Sequence, residues 1–157
     1  MRVLAIDPGY DRLGMAVLEG NASKPILLWS GCALPPKGAR EMRLAFVQNA
    51  VAEAITKHQP DFFALESLYF STNKKTALGV AEARGAVLSA ASMADLPVRE
   101  IPPGTVKLAV TGNGRADKKS IAHMIPFLVT LDKRKRLDDE LDAIAVGIAA
   151  LTLGSPQ

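Results

Sequence analysis

Three short apolar runs follow one another before any helical pattern begins, and strand-like and helix-like stretches alternate thereafter. No other feature of the chain limits its fold as much. RVLAID (2–7) and LGMAVLEG (13–20) flank the turn-rich PGYDR, which reads as a hairpin with a longer loop. PILLWSGCAL (25–34) is the third run, stopped by PPKG. From Arg40 to His58 the apolar residues Met42, Leu44, Phe46, Val47, Ala50, Val51, Ala54 and Ile55 recur at helical spacing, and QPD ends the pattern. FFALES (62–67) reads as a buried strand, KKTALGVAEARGAVLSAASMA (74–94) as an alanine-rich helix and PVREI (97–101) as a fifth strand. PPGTVKLAVTG (102–112) is a short helix opened by prolines and closed by Gly112. DKKSIAHMIPFLVTL (117–131) is helical in pattern, with Pro126 expected to kink or end it. DDELDAIAVGIAALTL (138–153) completes the chain as a helix with acids at its start. This order predicts an α/β fold, a mixed five-stranded sheet whose first three strands form an antiparallel meander, flanked by helices. No repeat or linker interrupts it, so residues 1–157 are expected to form one domain.

Apolar residues make up 48% of the chain and charged residues 22%, as in ordinary globular proteins. No apolar run is long enough to cross a bilayer, so no membrane partner is expected, and MRVLAIDPG lacks the apolar stretch of a secretory signal. The single Cys32 excludes an intramolecular disulfide and a cysteine-based metal cluster, and fits a reducing cytoplasm. Net charge is +3. The bases nevertheless gather in the second half: Lys74 and Lys75, then Lys107, then Arg115, Lys118 and Lys119, then DKRKR at 132–136. Any one patch reads most simply as a solvated face. Four together favour a nucleic-acid partner.

Asp7 closes the first apolar run, and Glu66 closes the fourth strand. Burying a carboxylate is costly unless something compensates it. If the two strands are parallel neighbours, these side chains lie side by side at their ends, where sites gather in open α/β sheets. In the last helix Asp139 and Asp142 share a face, as do Asp138 and Asp142, so spacing does not choose between the pairs. The stripe Leu141, Ile144, Ala145, Ile148 and Leu151 should face the core, placing Asp142 at its edge. Asp138 and Glu140 need no more than the helix dipole to explain them. Converging carboxylates without a basic neighbour in sequence call for a hard cation, and Mg²⁺ prefers oxygen donors. His58 and His123 are too scattered for zinc. As a phosphate loop of the sugar-kinase or actin-like kind, DPGYDRLG is weak, since no Walker or Rossmann fingerprint follows and those folds need two large lobes.

The pieces IDPG (6–9), QPDFFALES (59–67), ALGVAEARG (77–85), VKLAVTGNGRADK (106–118), HM (123–124) and DELDAIAVGIA (139–149) together resemble the RuvC Holliday junction resolvases, which have an RNase H-like fold. The resemblance implies that Asp7, Glu66, Asp139 and Asp142 are metal-binding carboxylates, favouring Asp139 over Asp138. It implies Mg²⁺, with Mn²⁺ as the alternative and two ions per site. Lys107 and Lys118 match basic residues used near the scissile phosphate. Tyr69 falls where many relatives carry a Phe that stacks on a base, a role open to Phe70 as well, and Asn73 matches a polar residue of the same loop. Lys74, Lys75, Arg115 and Lys119 are expected on the DNA, and the bases of LDKRKRLDD either touch DNA or solvate a loop. The implied activity is paired, symmetric nicking of a four-way junction, leaving 5′-phosphates, by a homodimer that cooperates with RuvA and RuvB. The helix from Lys74 to Ala94 is a candidate interface element. A YqgF-type nuclease is the nearest alternative, opposed by the Glu66 strand and the Lys107–Lys118 region. A junction-binding protein without catalysis is the other.

Overall fold

In the computed structural model of the chain, residues 1–67 and 74–156 are described, the side chains of residues 74–76 excepted. Five strands, β1 (Arg2–Pro8), β2 (Leu13–Asn21), β3 (Lys24–Ala33), β4 (Phe62–Glu66) and β5 (Val98–Ile101), form one sheet in the order β3-β2-β1-β4-β5. The first three are antiparallel, whereas β4 runs parallel to both β1 and β5. This is the expected mixed α/β sheet. The helices are α1 (Arg40–His58), α2 (Lys74–Met93), α3 (Pro103–Thr111), α4 (Lys118–Leu128) and α5 (Asp138–Leu153). Among the described residues, no helix is long and apolar enough to cross a membrane.

Strand alternation divides the core in two. Leu4, Ile6, Met15, Val17, Phe63 and Leu65 face α1 and α2. Val3, Ala5, Ala16, Leu18, Phe62 and Ala64 face α5, together with residues of α3 and α4. A bulge between Val17 and Leu18 pairs them with Trp29 and Leu27, leaving Leu28 over. The bulge lets Leu27 pack toward α5 and Trp29 toward α1. The buried small residues of α2, Ala83, Ala90 and Ala91, are covered within the chain, the last two against the sheet face.

Two sequence expectations need correction. Helix α5 is buried from Ala143 to Leu151 on all sides, not along one stripe, because it lies over the centre of the sheet with α3 and α4 beside it. Gly147 makes that approach possible: a Cβ there would collide with the Leu18 side chain. Helix α4 contains Pro126 and stops two residues later, at Leu128, short of the expected Leu131.

Candidate active site

Asp7 follows Val3 and Ala5 on the α5-facing side of β1, and Glu66 follows Phe62 and Ala64 on the same side of β4. The parallel register pairs Ile6 with Leu65, so Asp7 and Glu66 are the next pair along. On the other side of β1, Asp7 pairs with Gly14 of β2. Gly14 has a specific purpose: any Cβ there would overlap the backbone carbonyl of Asp139. The missing side chain lets the first turn of α5 settle onto the sheet beside Asp7, carrying Asp139 and Asp142 with it.

The acids feel one another. Burial, then the charges of Asp142, Asp139 and Glu66, raise the Asp7 carboxyl from its ordinary 3.8 to about 7. Burial and Asp142 raise Glu66 as well, against Lys107 and Lys118, which lower it. Asp142 is raised by burial, although its bond to Lys118 opposes this. Asp138 is exposed, and Asp139 rather than Asp138 acts on Asp7.

Two cations hold the helix acids. Lys118 Nζ lies 2.6 Å from Asp142 Oδ2, and Arg12 Nη1 donates to Asp139 Oδ2 at 3.3 Å. Among the described residues no three acidic, histidine or cysteine side chains are drawn together as a ready-made cage. The donor set is nonetheless all oxygen, half-buried and short of positive charge around Asp7. It suits a hard cation that binds through one or two carboxylates and keeps its waters, as Mg²⁺ does. Lys107 and Glu66 line a cavity of about 260 Å³ that Lys118 and Asp142 also border. A larger cavity of about 500 Å³ beside β3 holds none of these carboxylates.

Arg115 and Lys119 are exposed, next to and within the start of α4. Tyr69, Phe70 and Asn73 lie outside the described residues, and Lys74 and Lys75 open α2 with side chains that also lie outside them. Three features escape a reading of the sequence. Arg12, in the β1–β2 loop, reaches Asp139; its loop is held by Arg43, which bonds Tyr10 O at 2.8 Å and Asp11 Oδ1 at 2.7 Å. The signal for Gly14 was a glycine inside an otherwise apolar strand.

The third is Glu140, whose side chain is only 3% exposed. Far from merely complementing the helix dipole, it receives Arg134 and Arg136, and Arg134 also donates to Ser30 O at 2.8 Å. The basic segment before α5 thus buries the Arg136 side chain, lays the exposed Arg134 across Glu140 and Ser30, and leaves Lys133 and Lys135 exposed. It fastens the start of α5 to the edge strand β3.

Comparison with known proteins agrees with this architecture. The family model described as "Crossover junction endodeoxyribonuclease RuvC" matches residues 3–150. The crossover junction endodeoxyribonuclease RuvC of Thermosipho melanesiensis is 41% identical over 147 residues, covering 93% of this chain and 94% of that protein. The enzyme of the same name from Moorella thermoacetica is 40% identical over 149 residues, covering 94% and 89%. The structure of T. thermophilus RuvC in complex with Holliday junction substrate superposes with a TM-score of 0.87 at 32% identity, covering 95% of this chain and 92% of that one. The chain belongs to the RuvC family of crossover junction endodeoxyribonucleases.

Proposed function

We propose that this protein is a metal-dependent endonuclease that resolves four-way DNA junctions by nicking two strands symmetrically. The observation that carries the reading is the meeting of Asp7 and Glu66, at adjacent strand ends, with Asp139 and Asp142 of α5. A relative of the same fold is described in complex with a Holliday junction, which supports the substrate class.

Asp7, Glu66, Asp139 and Asp142 are the residues to hold Mg²⁺, or Mn²⁺, as two ions. Bound there, a pair of divalent cations supplies Lewis acidity to water and to the leaving oxygen. The chain's own part follows from its charges. Asp7 must give up its proton to serve as a ligand, and Lys118 favours the ionised form. Lys118, once separated from Asp142, and Lys107 across the cavity present positive charge to the non-bridging oxygens of the scissile phosphate. Water's oxygen joins phosphorus and the bond to O3′ breaks, giving a 5′-phosphate and a 3′-hydroxyl. Arg115, Lys119, Lys74 and Lys75 contribute backbone contacts, and Tyr69 or Phe70, with Asn73, meets the bases at the crossover. The two-fold symmetry of a junction calls for two sites related by a two-fold axis, hence a homodimer of single-domain chains. RuvA and RuvB as partners and a cytoplasmic location complete the proposal.

The test is a labelled synthetic four-way junction beside a matched linear duplex, with Mg²⁺, Mn²⁺ or EDTA. Paired nicks confined to the junction and dependent on metal are expected, with Asp7→Asn retaining binding and losing cleavage. Equal cutting of the duplex would instead indicate a general RNase H-like nuclease, and binding without cuts a non-catalytic junction protein.

A further inference from the structure

The Glu66 backbone has an unusual problem. Phe63 N and Ser67 N both donate to carbonyls on the β5 side, at Pro97 and Ile101. Alternation therefore turns the backbone polar groups of Phe62, Ala64 and Glu66 toward β1. With Ala5 opposite Ala64 and Ile6 opposite Leu65, the group that should donate to the Glu66 carbonyl is the nitrogen of residue 8. Residue 8 is proline and has no N–H. The vacancy is filled from α2: Arg84 Nη1 donates to Glu66 O at 2.6 Å, while Arg84 Nη2 pairs with Glu100 Oε2 of β5 at 2.7 Å. The Arg84 side chain is 8% exposed.

We propose that Arg84 is a positioning residue that fixes Glu66 for cation binding from behind, through its carbonyl, a role that rests on the assignment of Glu66 to the metal site. By taking the backbone oxygen, Arg84 leaves both carboxylate oxygens of Glu66 without a hydrogen bond among the described residues. Its planar fork spans two acceptors on two strands and locks the end of β4 to β5 and α2, a task a single ammonium performs only in part. Partners that hold a ligand in place are commonly worth about 10–100-fold in metal affinity.

Mn²⁺ binding, read by electron paramagnetic resonance on the full chain, tests this apart from turnover. Arg84→Met is expected to bind Mn²⁺ at least about tenfold more weakly than wild type, with junction binding in EDTA unchanged. Arg84→Lys should recover part of the loss, and Glu100→Gln should stay near wild type because the Glu66 contact survives. If Arg84→Met does not fold, Arg84→Lys decides: wild-type affinity in a folded Arg84→Lys protein overturns the proposal, as does wild-type affinity in folded Arg84→Met. Wild-type protein that binds no Mn²⁺ overturns the metal-site reading itself, and the role of Arg84 with it.

Discussion

Replacing Asp7 with asparagine should stabilise the protein while destroying its activity, and the gain should depend on pH in a defined way. Asp7 has its carboxyl raised from 3.8 to about 7, first by burial and then by Asp142, Asp139 and Glu66. Below pH 3.8 the group is protonated whether the chain is folded or not, so it favours neither state. Between 3.8 and 7 the folded protein keeps a proton that the unfolded chain has released, and stability falls as pH rises. Above 7 the loss is complete. The shift corresponds to about 4 kcal/mol. An asparagine amide, nearly the same shape, cannot ionise; allowing for imperfect hydrogen bonds, the gain should be about 2–4 kcal/mol at pH 8. That equals roughly 5–15 °C in Tm for a chain of this size. Urea denaturation of both proteins from pH 4 to pH 8 without metal is the assay, because the difference cancels the titrating groups that do not interact with Asp7. The gap should be near zero at pH 4, widen through pH 5–7 and then level off. Adding Mg²⁺ should stabilise wild type and narrow the gap, since a ligand of the folded state adds stability by mass action. A gap that is flat with pH, or an Asp7→Asn protein less stable than wild type at pH 8, would refute the argument.

Other substitutions probe the frame around the site. Gly14→Ala places a methyl where the Asp139 carbonyl sits, so the first turn of α5 must move; cleavage should fall by about 10²-fold, as for other small misplacements of catalytic groups, with junction affinity retained in a gel-shift assay. Glu140→Gln removes the buried carboxylate that Arg134 and Arg136 share, leaving them only the exposed Asp132, and should lower stability by about 3 kcal/mol in urea denaturation. Lys118→Met frees Asp142 from its partner; cleavage should drop about 10²-fold, yet calorimetry should show Mg²⁺ binding as tight as wild type or tighter, because no ion pair has to be broken.

Asp7 and Glu66 could be read from sequence because both arguments are short: an acid ends an apolar run, and parallel neighbours align their ends. The choice between Asp138 and Asp139 is different. Helical spacing allows either with Asp142; in the fold, a glycine more than a hundred residues earlier seats the Asp139 carbonyl through its absent side chain, and Asp139 is the one whose charge reaches Asp7. Glu140 was hidden for another reason. Three acids opening a helix satisfy the dipole, so nothing local demands that one be buried. Its burial depends on a bulge in β3 that turns Ser30 toward α5, and on two arginines that in sequence look like part of a solvated basic run. Arg84 combines both difficulties, since its partner is a backbone carbonyl and the need for it arises from a proline in another strand.

The frame also determines how the site trades protons for metal. Strand ends, Gly14 and the Arg134–Arg136–Glu140 cluster fix the carboxylates in place, so they cannot spread apart to relieve their repulsion. Relief comes from three sources: a proton on Asp7, Lys118 on Asp142 and Arg12 on Asp139. A divalent cation must displace all or part of these. The acids around Lys118 hold it in its charged form, so the proton on Asp7 is what makes the exchange pH-dependent. Because Asp7 holds that proton up to about 7, metal binding should release it, and affinity should rise about tenfold per pH unit below 7 and flatten above. Isothermal titration of Mg²⁺ at pH 5.5, 6.5 and 8 in buffers of different ionisation enthalpy would count the proton directly. An affinity independent of pH over that range would mean that Asp7 is already ionised when the metal arrives, and that the basic side chains alone neutralise the cluster.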